Sequence, residues 1–174
     1  MRTLDIVAYT AFTVAVIALP FLIYNWFVYI IRRARAVPSL RRQIPMPIRS
    51  ILFFSLPILV TLAVGETSKH IGHDQVMRTL ESFRADYQVA VNGKAAQNPD
   101  QILAILKTLH WIFPHHSSPT RRVTLEISDP SHRLVLWACR DSSDPREYWV
   151  FYPKYLITAH NEVGRIVTPI FDAY

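Results

Sequence analysis

RRARAVPSLRRQIPMPIR, Arg32 to Arg49, holds six arginines and no acidic residue, and it separates two uncharged apolar runs, Ile6 to Ile31 and Ser50 to Gly65. Basic side chains are retained on the cytoplasmic side of a membrane while apolar helices insert, so this pattern reads as a helical hairpin through a bilayer with Arg32, Arg33, Arg35, Arg41, Arg42 and Arg49 in its cytoplasmic loop. The loop reading, 32–49, decides the rest. It makes residues 1–65 a two-helix transmembrane hairpin and returns residues 66–174 to the side on which the chain began.

The first run at 1.5 Å per residue reaches roughly 39 Å, more than the roughly 30 Å hydrocarbon layer, and spans with tilt. Pro20 removes one backbone donor inside it and predicts a bend. Tyr24, Trp26 and Tyr29 collect at the arginine end, where amphipathic rings favour the headgroup layer. The second run reaches only roughly 24 Å and spans if Arg49 snorkels and the bilayer thins. A re-entrant second segment is the alternative, and it would leave the C-terminal domain on the arginine side. A cleavable signal peptide fits poorly, because only Arg2 precedes the first run and the basic cluster comes after it. In a bacterial cell the expected location is the inner membrane, with both termini periplasmic.

The formal net charge of +6 does not describe a basic domain. Residues 1–65 carry seven arginines against the single Asp5, whereas residues 66–174 carry twelve basic and twelve acidic residues. A nucleic-acid partner is therefore not expected, since the excess charge reports topology. The bilayer itself is the first expected partner, and the six loop arginines are candidates to face anionic lipid headgroups. Pro38, Pro45 and Pro47 keep the loop from forming one helix.

After Gly65 the sequence becomes mixed. Val76, Met77, Leu80 and Phe83 share one face of a helix over roughly 73–84, read as part of a linker helix within 66–86. The extramembrane domain, 87–174, opens with a strand from Tyr87 to Val91 that Asn92-Gly93 turns tightly. Asn98-Pro99-Asp100-Gln101 is a helix start, with a capping side chain, a proline preset for the first position and an acid for the dipole. Ile102, Leu103, Ile105, Leu106 and Leu109 supply its apolar face, and Pro114 stops it. Val123, Leu125 and Ile127 alternate with polar residues as a half-buried strand. Arg133 to Cys139 reads as a central strand, Glu147 to Tyr152 as its neighbour and Gly164 to Phe171 as the last. The connections permit only hairpins, so the expected fold class is a membrane α-helical hairpin plus a small α+β domain, an antiparallel meander with one packed helix.

Catalytic and metal chemistries find little purchase. The lone Cys139 excludes an intrachain disulfide and lies in an apolar strand as packing. His70, His73, His110, His115 and His116 lack the spacing of a zinc site, and a divalent site from His70, His73 and His115 is the minority reading. Asp141, Asp144 and Glu147 recur every third residue, a pattern read as turn chemistry in preference to a cation loop. Neither nucleophile elbow nor phosphate-binding glycine loop occurs, so no enzyme activity, cofactor or metal is expected. Trp137, Tyr148, Trp149, Phe151, Tyr152 and Tyr155 place aromatics on both faces of a strand, more than one core face needs, and they are the candidate protein-binding residues. Two functions are expected from this pattern. The first is a membrane-anchored, non-enzymatic module that captures a protein partner, as an accessory subunit of an envelope complex or a toxin-immunity protein would. The second is a small-ligand or metal sensor that signals through the linker helix to the two spans.

Overall fold

A computed structural model describes residues 2–84, 86–111, 116–155 and 158–174. The chain divides into two compact units, Met1–Glu66 and Thr67–Tyr174. Pro114 and His115, expected from the sequence as a helix stop and a minority metal ligand, lie outside the described residues.

The first unit contains α1 (Arg2–Arg35) and the beginning of α2 (Ile48–Ser82). Both helices are long and apolar enough to cross a membrane by length and composition. α1 continues through Pro20. The helices extend into the expected loop from both ends: Arg32, Arg33 and Arg35 form the last turn of α1, where cations complement the helix dipole, and Arg49 lies in the first turn of α2. Arg41 and Arg42 lie in a short 3-10 turn, Arg41–Gln43. Along α1 the sheltered positions include Ala8, Ala15 and Ala18, while Phe12, Ile17, Phe21, Ile23 and Phe27 are exposed. A helix that exposes its large apolar side chains and shelters its small ones is the inverse of a soluble helix, and it is the arrangement expected where the solvent is lipid.

α2 does not break at Gly65; one glycine costs only about 1 kcal/mol against alanine, and Glu66, Lys69 and the residues after them sustain the helix. Its last part belongs to the second unit: Val76 and Leu80, with Phe83 just past the helix end, are buried in that unit's core. The helix expected at His73 is thus the end of a longer one. The sheet carries two packed helical segments where one was expected, because a six-stranded face is wider than the eight residues of α3 (Pro99–Leu106) can cover.

That sheet is antiparallel throughout and consists of β1 (Gln88–Val91), β2 (Lys94–Ala95), β3 (Pro119–Ser128), β4 (Arg133–Asp141), β5 (Glu147–Phe151) and β6 (Glu162–Val167) in the order β2-β1-β3-β4-β5-β6. Asn92 and Gly93 both have positive φ, 51° and 78°, the backbone that a two-residue hairpin needs, and they return the chain into β2. α3 starts where expected, but the Asn98 side chain does not cap it; the Asn98 carbonyl accepts from the Ile102 N–H, and Asp100 accepts instead from the Tyr87 hydroxyl. The last strand is shorter than expected. Pro169 cannot donate to a ladder, and Ile170–Ala173 winds into a 3-10 turn.

The register assigns each residue to a face. Val123 pairs with Ala138, Leu125 with Leu136 and Ile127 with Leu134; Ala138 pairs onward with Val150, and Tyr148 with Ile166. These residues, with Val89 and Val91, form the core face against Val76, Leu80, Phe83, Ile102, Leu103 and Leu106. Gly164, at φ 136°, lies where a Cβ would come within 2.9 Å of the His110 carbonyl oxygen, and its absence lets His110 pair with Arg165 beside β6.

Candidate protein-binding face

The opposite face of the sheet collects the residues of chemical interest. Because side chains alternate along a strand, the register that points Ala138 and Val150 to the core points Arg122, Cys139, Trp149 and Arg165 the other way, in one row across β3, β4, β5 and β6. Thr124, Trp137 and Phe151 form the adjacent row.

Two arginines stack on two tryptophans in these rows. The Arg122 guanidinium lies 4.7 Å from the Trp137 ring centroid, and the Arg165 guanidinium lies 3.6 Å from that of Trp149. The two pairs differ in solvation. Arg165 is only 1% exposed, donates from Nη1 to Glu147 Oε1 at 2.7 Å and has Glu162 Oε1 at 3.6 Å from Nε. Arg122 is exposed, and Trp137 beneath it is half-buried, as are Thr124, Glu126 and Val135 further along β3 and β4 on the same face. The face is therefore closed toward β6 and open toward β3.

A carboxylate network anchors the closed side. Asp141, itself buried, accepts from Trp149 Nε1 at 2.6 Å, from Ser117 Oγ at 2.5 Å and from the N–H groups of Ser143 at 2.6 Å and Asp144 at 3.0 Å. Burial works to raise the pKa of this carboxyl, but the donated hydrogen bonds outweigh it and hold the group well below the usual carboxylate range. Asp144 in turn accepts from the Arg146 N–H. Asp141 and Asp144 thus shape their turn, while Glu147, the third member of that spacing, faces Arg165. Cys139 is buried in the same row and its thiol pKa is raised by burial, against a smaller opposing pull from Arg122. That leaves it protonated and poorly nucleophilic.

The six candidate aromatics fall into different environments. Trp137, Trp149 and Tyr152 are half-buried, whereas Tyr148, Phe151 and Tyr155 are buried. Tyr148 is on the core face, with its ring edge-on to Phe171 and its hydroxyl donating to Asp172 at 2.9 Å; burial, then this bond, push its pKa up to about 12. Phe151 stacks parallel to Trp149 at 6.5 Å. Tyr152 has the Lys154 ammonium 5.2 Å from its ring centroid. The Asn161 side chain clasps the Tyr155 backbone, accepting from its N–H at 2.6 Å and donating to its carbonyl at 2.9 Å. Only Trp137 and Trp149 combine partial exposure with a place on the second face.

Among the described residues no group of three His, Cys, Asp or Glu side chains is placed to hold a metal ion. His70 and His73 both contact the Trp111 ring, at 5.4 and 5.5 Å between centroids, and His73 Nδ1 lies 2.6 Å from the Val163 carbonyl oxygen, so that nitrogen must carry the proton. In the basic loop, Arg33 Nη1 donates to the Tyr29 hydroxyl at 2.7 Å and Arg41 Nε donates to the Ala36 carbonyl at 3.2 Å.

Residue type does not mark Arg122 or Arg165, and it marks Glu147 only as part of the every-third-residue acidic spacing, not as the partner of Arg165. A charge inside an otherwise apolar strand, as Arg165 is between Gly164 and Ile166, is the signal that could have marked the buried pair. Arg122 carries no such mark, because an arginine on the wet side of an alternating strand is ordinary. No protein-family model, curated protein or solved structure matches this chain.

Proposed function

We propose that this chain is a membrane-anchored, non-enzymatic binding module that captures a protein partner through the open part of its second sheet face. The observation that carries the reading is the half-exposed Trp137 with the exposed Arg122 stacked on it, beside Thr124 and Val135. Tryptophan and arginine dominate binding hot spots because each supplies a large, stiff contact area together with directional donors. Here Trp149, held by Asp141, and Arg165, held by Glu147, form a fixed floor beside that pair. A partner that covers Trp137 loses little conformational entropy on the module's side. The two long apolar helices support a bilayer anchor, and the arginine-only loop supports an inner-membrane orientation with the sheet unit in the periplasm. An accessory subunit of an envelope complex and a toxin-immunity protein both fit this description. A ligand sensor would need a pocket between α3 and the sheet, and Ile102, Leu103 and Leu106 fill that interface with apolar contacts, which favours the binding module.

Photo-crosslinking in intact cells tests the reading. A photoreactive residue at Thr124 is expected to give one discrete protein adduct, and Trp137→Ala or Arg122→Ala is expected to abolish it without lowering the level of the full chain. An adduct that survives both substitutions, or none at all, overturns the proposal.

A further inference from the structure

The hairpin unit, taken by itself, has two grooves where α1 and α2 meet near the arginine loop. One, of about 400 Å³, is lined by Leu22, Ile23, Trp26, Phe27, Ile30 and Ile51 and holds no charged side chain. The other, of about 530 Å³, has apolar walls from Ile17, Phe21 and Phe53 and a polar end formed by Asn25, Arg49 and Ser50. The order along the helices makes this a gradient. Ile17 is deepest, Asn25 is two turns nearer the loop, and Arg49 and Ser50 open α2 at the loop itself.

Within the hairpin unit no carboxylate lies near Arg49. No acidic residue occurs between Asp5, in the first turn of α1, and Glu66, 17 residues along α2 from Arg49. Of the six loop arginines it alone lines the groove. One N–H of the Asn25 amide donates to the Phe21 carbonyl of its own helix at 2.8 Å, so the donors at the mouth are its second N–H, the guanidinium and the Ser50 hydroxyl. An apolar trench that ends on an uncompensated cation and a hydroxyl is complementary to an amphiphile with an acyl chain and an anionic head.

We infer that this groove binds one anionic phospholipid, with its acyl chain along Ile17, Phe21 and Phe53 and its headgroup phosphate on Arg49 and Ser50. The inference rests on the hairpin lying in a bilayer. It goes beyond a diffuse attraction of the loop to negative membranes, because one arginine and one groove carry the selectivity.

The test is native mass spectrometry of the full chain in detergent with added phosphatidylglycerol or phosphatidylcholine. The wild type should retain one phosphatidylglycerol in preference to phosphatidylcholine. Arg49→Gln should lower that retention about tenfold. Arg42→Gln, which removes the same charge outside the groove, should lower it less than about twofold. Equal losses in the two variants, no preference for phosphatidylglycerol, or a lipid-free dimer with a second copy in the groove would each overturn the site. Carbonate extraction of membranes from cells that make the same chains separates this from failure of the anchor. A chain that stays in the pellet while the lipid contrast is missing has lost only the lipid site, whereas one released to the supernatant has lost the membrane reading as well.

Discussion

Arg165 and Glu147 put two charges where the sheet is closed, and the value of such a pair depends on what is removed. Neutralising one partner leaves the other desolvated, so Glu147→Gln should destabilise the fold by about 3–5 kcal/mol, measured by urea unfolding of the full chain in micelles. Replacing both, as Arg165→Met with Glu147→Leu, should restore most of that loss, because the desolvation cost of the pair disappears with it. A double variant as unstable as the single one would show that the stacking of Arg165 on Trp149 dominates instead. Asp141 makes a pH prediction. Its folded pKa lies below its unfolded value of about 3.9, so the stabilisation is complete above that value and is lost as the pH falls through it toward the folded value. The unfolding midpoint should therefore decline below about pH 4, and Asp141→Asn should flatten that decline while lowering the stability at pH 7 by about 2 kcal/mol. An unchanged acid slope would assign the decline to other carboxyls.

At the scale of elements, α2 has two environments within one helix. Its early part exposes Leu52, Phe53, Leu56, Leu59 and Leu62, and its later part buries Val76 and Leu80 completely. If the later part were a spacer, truncating Leu80 would cost little. As a core position, Leu80→Ala should cost about 2–5 kcal/mol in the sheet unit, and Leu56→Ala in the early part should leave that unit's unfolding unchanged. Near-ultraviolet dichroism of the full chain reads both. The later stretch was legible as a helix from the i, i+4, i+7 spacing of Val76, Leu80 and Phe83, but not as part of the core, because the same stripe suits a helix packed on anything. Strict apolar alternation made the later half of β3 legible, over Val123, Leu125 and Ile127, but not its start at Pro119, and the two-residue β2 was too short to show any alternation. The end of β6 was not, since Pro169 interrupts a run whose composition continues as a strand.

For the whole molecule, the membrane reading makes a topological prediction. Protease added to spheroplasts should digest the Thr67–Tyr174 unit, and a cysteine introduced at Ser39 in the arginine loop should react with an impermeant thiol reagent only after lysis. Both regions protected from the outside would indicate a re-entrant second segment and a cytoplasmic sheet unit. Changing Arg32, Arg33, Arg35, Arg41 and Arg42 to glutamine should weaken the preference and yield a mixed orientation, read by the same labelling.

By itself, the sequence determined the partition of this protein: two apolar runs around an arginine-only loop, then a neutral α+β segment with a turn at Asn92-Gly93 and a helix start at Asn98-Pro99. These are local properties, set by side-chain solubility and by the φ that each residue tolerates, and they need no partner from elsewhere in the chain. Only the tertiary structure decided which face each aromatic occupies. Tyr148 and Trp149 are adjacent in sequence and equally suited to a binding surface, but strand register sends Tyr148 to the core and Trp149 to the second face. The Arg122–Trp137 and Arg165–Trp149 pairs likewise exist because strands distant in sequence lie side by side, which periodicity within one strand does not encode.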